Sequence, residues 1–134
     1  ALGFGQMQRY DVNLTKRKEN AKLYFELLQG ENNIILSKIN KDCSYFLYQI
    51  NLKDNIKRDK VLLELKKKGI GVSVHYATPV PLMSFYKNKY GYKKGDFLNA
   101  EIYSNSNISL PVHSNLSKND INYICKTIKI ILKD

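Results

Sequence analysis

Cysteine is scarce in this 134-residue sequence, and Cys43 and Cys125 are too few to build a disulfide framework. Neither has another cysteine or a histidine nearby at the spacing of a metal site. No apolar run approaches the roughly 18 residues that a membrane-spanning helix needs. Residues 1–10 also lack the basic and apolar regions of a signal peptide. These absences predict a reduced, cytoplasmic protein with no metal site and no membrane contact.

The common catalytic motifs are missing as well. The sequence contains no P-loop, no HExxH, no GxSxG and no CxxC. The pair Gly3 and Gly5 stops short of the dinucleotide-binding pattern GxGxxG, and no predicted strand precedes it. A candidate site must therefore be sought in the position of individual side chains within the fold.

Arginine is also rare, although the formal net charge is +10. Three of the 22 basic residues are arginines and 19 are lysines, which are scattered along the chain. Recognition of phosphates and base edges favours the planar, forked guanidinium group of arginine over the flexible lysine. We interpret the charge as a solvated basic surface and predict no nucleic-acid partner. Anionic small ligands such as nucleotide phosphates remain compatible with it.

Apolar residues recur with the periods of helices and strands along the whole chain. Predicted helices cover residues 6–29, 54–68, 82–90, 97–103 and 118–132, and predicted strands cover residues 34–39, 45–52, 70–75 and 107–112. We expect Asp54 or Asn55 to cap the second helix. Ser117 and Asp120 form a capping-box pattern at the start of the last helix.

The order of these elements predicts the fold class. Strand, helix and strand follow one another between residues 45 and 75, which predicts a right-handed βαβ unit with two parallel strands. The whole pattern predicts a two-layer α/β (α+β) fold, a small mixed sheet with helices mainly on one face. We divide the chain into a long connecting helix, residues 1–30, and an α/β domain, residues 31–134. A domain seldom begins inside a helix, so we expect a fragment of a longer protein.

The candidate ligand-binding residues are His75 and Tyr76. They follow the predicted strand 70–75 and precede a loop that contains Pro79 and Pro81. Ligands of open α/β sheets bind beyond the carboxyl ends of strands, and a stiff loop keeps such side chains in place. In the alternative interpretation, His75 only caps the strand by bonding a backbone carbonyl group.

Five short segments also follow the motif order of one enzyme family. They are residues 1–11 (ALGFGQMQRYD), 68–76 (KGIGVSVHY), 90–101 (YGYKKGDFLNAE), 108–111 (ISLP) and 116–117 (LS). Together they resemble the motifs of the DegT/DnrJ/StrS-type, pyridoxal-phosphate (PLP)-dependent nucleotide-sugar aminotransferases. The similarity covers nearly the whole chain and corresponds to the C-terminal, small domain of a fold-type I aminotransferase and the long helix before it.

The resemblance implies that this chain lacks the catalytic centre. In the family, the lysine that forms the Schiff base with PLP lies in a larger upstream domain, as does the aspartate that pairs with its pyridine nitrogen. We therefore expect PLP in the full-length enzyme and neither a catalytic nor a cofactor-binding residue in this fragment. Pro81 stands where many relatives carry a second histidine.

For the full-length protein, the resemblance implies a homodimeric enzyme of surface-polysaccharide or amino-sugar biosynthesis. It would transfer an amino group from an amino acid, usually glutamate, to a nucleotide-linked keto-sugar. His75 would donate or accept a hydrogen bond to the sugar substrate, and Tyr76 would line its pocket.

Two functions of other classes stay open at this point. The chain could be a small basic α/β module that binds RNA, or a non-catalytic remnant used for dimerisation or regulation. Against RNA binding, no aromatic pair surrounded by arginine or glycine lies on a predicted strand.

Overall fold

The computed structural model describes residues 2–53 and 56–133, which form six α-helices and three strands in that part of the chain. The helices are α1 (Leu2–Met7), α2 (Tyr10–Leu28), α3 (Arg58–Lys67), α4 (Ser84–Tyr90), α5 (Leu98–Ser106) and α6 (Lys118–Ile131). The strands are β1 (Ile34–Leu36), β2 (Tyr48–Leu52) and β3 (Asn107–Leu110), and a 3₁₀ turn covers Val80–Leu82.

The strands form one sheet in the order β1-β2-β3, and both pairings are antiparallel. Residues 70–75 add only an isolated antiparallel bridge, between Ser73 and Ser109 at the outer edge of β3. This segment therefore runs in the same direction as β2, but β3 lies between the two. The predicted parallel pair, and with it the mixed character of the sheet, is wrong, whereas the two-layer α/β fold class is confirmed.

The core lies between the sheet and the helices on one of its faces. Alternate residues of β2 and β3 are buried on that face, against apolar residues of α2, α3 and α6. The α2 residues in this core are Ala21, Tyr24 and Leu28. Tyr24 stacks on Tyr48 of β2 with ring centroids 5.0 Å apart, and burial raises the pKa of both phenols. The predicted connecting helix is thus also an integral part of the domain core.

The long helix expected over residues 6–29 is two helices. The helical conformation is interrupted at Gln8 and Arg9, so that α1 ends at Met7 and α2 begins at Tyr10. None of the residues of α1 is buried. Since most helical stability in proteins comes from packing of an apolar face, α1 has little to hold it in line with α2.

Most other boundaries differ from the expected ones by one to four residues. Strand β2 begins at Tyr48 rather than at residue 45, because Tyr45 has a left-handed backbone (φ 46°) and its hydroxyl accepts from the amide of Asn40. Helix α3 begins at Arg58. Its expected caps, Asp54 and Asn55, lie outside the described residues.

The capping box of α6 is confirmed. The amide of Asp120 donates to Ser117 Oγ at 3.2 Å, and the amide of Ser117 donates to Asp120 Oδ2 at 2.9 Å. The hydrogen bonds from Ser117 hold the pKa of the Asp120 carboxyl group below its usual range. The cap therefore stabilises the fold when Asp120 is ionised.

We expect Ser117→Ala to lower the free energy of unfolding by about 1 kcal/mol at neutral pH, because it leaves the amide of Asp120 without its partner. A depressed native pKa adds stability above the unfolded pKa, and this stability is lost as pH falls through the native pKa. Urea unfolding from pH 7 down to below pH 4 should show the difference between parent and variant shrinking. Ser114→Ala, in the turn before the helix, is the matched control. An equal loss in Ser114→Ala would contradict the assignment.

Candidate functional site

The candidate residues His75 and Tyr76 lie where the segment 70–74 leaves the edge of the sheet. His75 is half-buried and Tyr76 is 66% exposed. The peptide bond between them is cis, and their rings meet edge to face with centroids 5.6 Å apart. The two side chains therefore form one patch, with an exposed phenol beside a fixed imidazole.

Side chains of the neighbouring strands hold the backbone of His75. Its amide donates to Asn107 Oδ1 at 3.1 Å, and its carbonyl oxygen accepts from Gln49 Nε2 at 3.1 Å. Gln49 belongs to β2 and Asn107 to β3. These two bonds take the place of the backbone ladder, which in this segment consists of the single bridge at Ser73.

The imidazole ring is held through one of its nitrogens. His75 Nδ1 lies 2.9 Å from Ser109 Oγ and 3.5 Å from Ser73 Oγ. In the part of the chain that the structure describes, Nε2 has no hydrogen-bond partner. The ring is thus anchored at Nδ1 by a hydroxyl group rather than by a backbone carbonyl group.

A second set of hydrogen bonds fixes the residues that hold His75. Asn107 is fully buried, and its Nδ2 donates to the carbonyl oxygens of Tyr103 at 2.9 Å and Ser104 at 3.5 Å. This contact orients the amide so that its oxygen faces His75. The buried Arg58 donates to the carbonyl of Ser104 at 3.2 Å, and the Tyr103 hydroxyl donates to Gln49 Oε1. Residues of α3 and α5 therefore support the site from behind.

Sequence reasoning identified His75 and Tyr76 but missed the residues that position them. Gln49 is a polar residue at an alternate, less buried position of β2, and Ser109 lies within the ISLP segment. Neither signal shows that both side chains meet His75, which requires the strand order. His113, the other histidine, is exposed, and its carbonyl accepts from Asn20 Nδ2 at 3.0 Å.

The described residues hold neither a cluster of metal ligands nor a membrane-spanning helix. Between residues 2–53 and 56–133, no three His, Cys, Asp or Glu side chains lie close enough to hold a metal ion. Over the same ranges, no helix has both the length and the apolar character to cross a membrane.

Comparison with known proteins identifies the family. A model of the DegT/DnrJ/EryC1/StrS aminotransferase family matches residues 1–129. The chain belongs to this family. The resemblance seen in the motifs is thereby confirmed.

Relatives of this DegT-family chain include two curated proteins. The UDP-4-amino-4,6-dideoxy-N-acetyl-beta-L-altrosamine transaminase of Campylobacter jejuni is 33% identical over 99% of this chain and 36% of its own length. The spore coat polysaccharide biosynthesis protein SpsC of Bacillus subtilis is 30% identical over the same shares. The chain therefore spans about a third of the length of the curated relatives it matches.

Among solved structures, Spr1654 from Streptococcus pneumoniae in its PMP-form has a TM-score of 0.88 and 30% identity. The match covers 98% of this chain and 34% of that one. The same relative is also known in its PLP-form. This similarity confirms the expected small-domain fold of the DegT-family chain.

The lysines of this DegT-family chain do not fit the attachment of PLP. A lysine that forms a Schiff base is activated in a pocket that desolvates it or places it beside another cation. Every lysine in residues 2–53 and 56–133 is at least partly exposed, and none of them is buried. No described residue is therefore assigned to the cofactor.

Proposed function

We propose that this chain is the C-terminal domain of a PLP-dependent aminotransferase that aminates a nucleotide-linked keto-sugar. In this proposal the amino donor is an amino acid, with glutamate as the first one to test, and the product enters surface-polysaccharide or amino-sugar synthesis. Residues 1–30 connect to the rest of the enzyme and residues 31–134 form the domain. The complete enzyme is a cytoplasmic homodimer whose PLP is held outside this chain.

The observation that carries the proposal is the way His75 is held. Gln49, Asn107 and Ser109 bond its carbonyl, its amide and its Nδ1, so the residue is fixed at three points. The protein holds the ring at Nδ1 and leaves Nε2 without a protein partner in the described part of the chain, so this nitrogen can bond a ligand while the ring stays in place. Such rigid placement of one polar group is what a binding site needs, since little entropy is lost when the ligand binds.

In this proposal His75 and Tyr76 recognise the sugar, and the reaction itself takes place on the cofactor. His75 Nε2 forms a hydrogen bond with an oxygen of the sugar nucleotide. The exposed Tyr76 ring covers an apolar face of the same substrate, which excludes water from the hydrogen bond. The net charge of +10 supports binding of the diphosphate by raising its local concentration.

The test is His75→Ala in the complete enzyme that contains this chain. Loss of a substrate hydrogen bond removes roughly 1–3 kcal/mol, so the sugar half-reaction should slow by about 5- to 150-fold. The amino-acid half-reaction and the melting temperature should change little, because the apolar face of residues 70–74 still packs on the core. Stopped-flow spectroscopy of the cofactor follows each half-reaction separately.

His113→Ala is the matched control, since it removes the chain's other, exposed histidine. It should leave both half-reactions at the parent rate. If His75→Ala instead lowers the melting temperature and slows both half-reactions alike, His75 is a structural residue and its proposed role is wrong.

A further inference from the structure

Ser109 contacts His75 from a buried position on β3, the strand that lies between β2 and the segment 70–75. The residue is 3% exposed and lies on β3, opposite Gln49 of β2. Its Oγ is 2.9 Å from His75 Nδ1, and among the described residues this nitrogen is the partner of the hydroxyl group. The role of this serine depends on which of the two groups donates the proton.

The burial of Ser109 decides the direction of the bond. A neutral imidazole has one N–H donor and one acceptor nitrogen, and a serine hydroxyl has one proton and two lone pairs. If Nδ1 donated, the hydroxyl proton would remain unpaired at a site removed from water, which is costly. If the hydroxyl group donates to Nδ1, only lone pairs of the serine oxygen remain without a hydrogen bond. The favoured arrangement therefore has Ser109 O–H donating to Nδ1, with the ring proton on Nε2.

We propose that Ser109 is a positioning residue, which holds His75 in the Nε2–H tautomer so that the ring presents a donor to an acceptor oxygen of the sugar nucleotide. The inference rests on the proposed function, in which His75 contacts that substrate. It adds the residue that selects the tautomer and the direction of the substrate hydrogen bond. Without the Ser109 hydroxyl, the longer contact from Ser73 Oγ at 3.5 Å is what remains at Nδ1, so the second tautomer becomes accessible and the ring is held less firmly.

The backbone of His75 is held independently of Ser109. Asn107 and Gln49 bond its amide and carbonyl groups, at 3.1 Å each. Removal of one hydroxyl group from Ser109 should therefore leave the course of the chain unchanged. Its effect is confined to the tautomer and the orientation of the ring.

The first test is the tautomer itself, measured in the complete parent enzyme without sugar substrate. Nitrogen NMR of enzyme labelled with ¹⁵N-histidine distinguishes protonated from unprotonated ring nitrogens, and the signals missing from His75→Gln belong to His75. We expect a protonated Nε2 and an unprotonated Nδ1 at a pH where the ring is neutral. In Ser109→Ala we expect the averaged signals of a tautomer mixture. A protonated Nδ1 in the parent enzyme would overturn the proposal, whatever the variants do.

The second test compares rates. Ser109→Ala should slow the sugar half-reaction about tenfold, as for the loss of one ordinary hydrogen bond, and leave the amino-acid half-reaction unchanged. Ser109→Thr keeps a hydroxyl group and should restore most of the rate. The control Ser106→Ala removes a similarly buried hydroxyl, whose partners are Asn51 Oδ1 and the carbonyl oxygen of Tyr103, both at 3.3 Å, and should keep the parent rate.

A double variant separates failure of this inference from failure of the proposed function. If Ser109 acts through His75, adding Ser109→Ala to His75→Ala should cause no further loss of rate. If the rate losses of the two single variants add fully in the double variant, or if Ser109→Ala alone keeps the parent rate, the proposed role of Ser109 is wrong. The proposed role of His75 is unaffected by either result. An unchanged sugar half-reaction in His75→Ala would instead refute the proposed function, and the tautomer measurement would still decide what Ser109 does.

Discussion

The chain of residues 1–134 alone, incubated with PLP and glutamate, is expected to form no specific covalent adduct and to show no turnover. The reason is the exposure of its lysines, which leaves each described ammonium group in contact with solvent and outside any desolvating pocket that would activate it. Borohydride reduction followed by mass spectrometry would locate any lysine that carries the cofactor. Release of the keto acid from glutamate would report turnover.

The complete enzyme, treated in the same way, is the control and should give one labelled lysine outside residues 1–134. Weak labelling spread over many surface lysines of the chain is the expected background. One dominant labelled lysine within this chain, together with turnover, would contradict the assignment of PLP to the rest of the enzyme. It would also contradict the interpretation of this chain as a domain without the catalytic centre.

Ile50→Ala is expected to lower the free energy of unfolding by about 2–5 kcal/mol, the usual cost of emptying a core site of this size. Ile50 lies in the central strand β2, is 0% exposed and faces the helical layer. Because a domain of this kind is stabilised by roughly 5–15 kcal/mol, the loss is a large part of the total. Urea unfolding followed by circular dichroism measures it, provided that the slope with denaturant stays the same.

Ile35→Ala is the matched control, since Ile35 lies in the neighbouring strand β1 and is 54% exposed. The same atoms are removed there from a site open to solvent, so we expect a loss of about 1 kcal/mol or less. Comparable losses in the two variants would contradict the placement of Ile50 in the core.

The candidate site was predictable in part. His75 and Tyr76 follow a segment that alternates apolar and polar residues, and their position before two prolines was enough to single them out. Their partners were not predictable, because Gln49, Asn107 and Ser109 are 26, 32 and 34 residues from His75 in the chain. Local periodicity predicts which face of a strand a residue occupies, but it does not predict which other strand lies beside that strand.

Helix α6 shows what the sequence by itself determined. Its capping box joins residues three apart and its apolar stripe repeats with the helical period, so both features are local. The same holds for the burial of alternate residues in β2, which follows from the two-residue period of a strand. The family could likewise be recognised from short motifs and their order along the chain.

The tertiary structure alone decided the strand order and, with it, the site. Insertion of β3 between β2 and the segment 70–75 replaced the expected parallel pair by antiparallel pairings and brought Asn107 and Ser109 to His75. The break between α1 and α2 was decided in the same way, by the absence of buried residues along α1. The strand order depends on long-range contacts, in which the apolar area buried between distant segments outweighs the preferences of any one segment. The break reflects the lack of such contacts along α1.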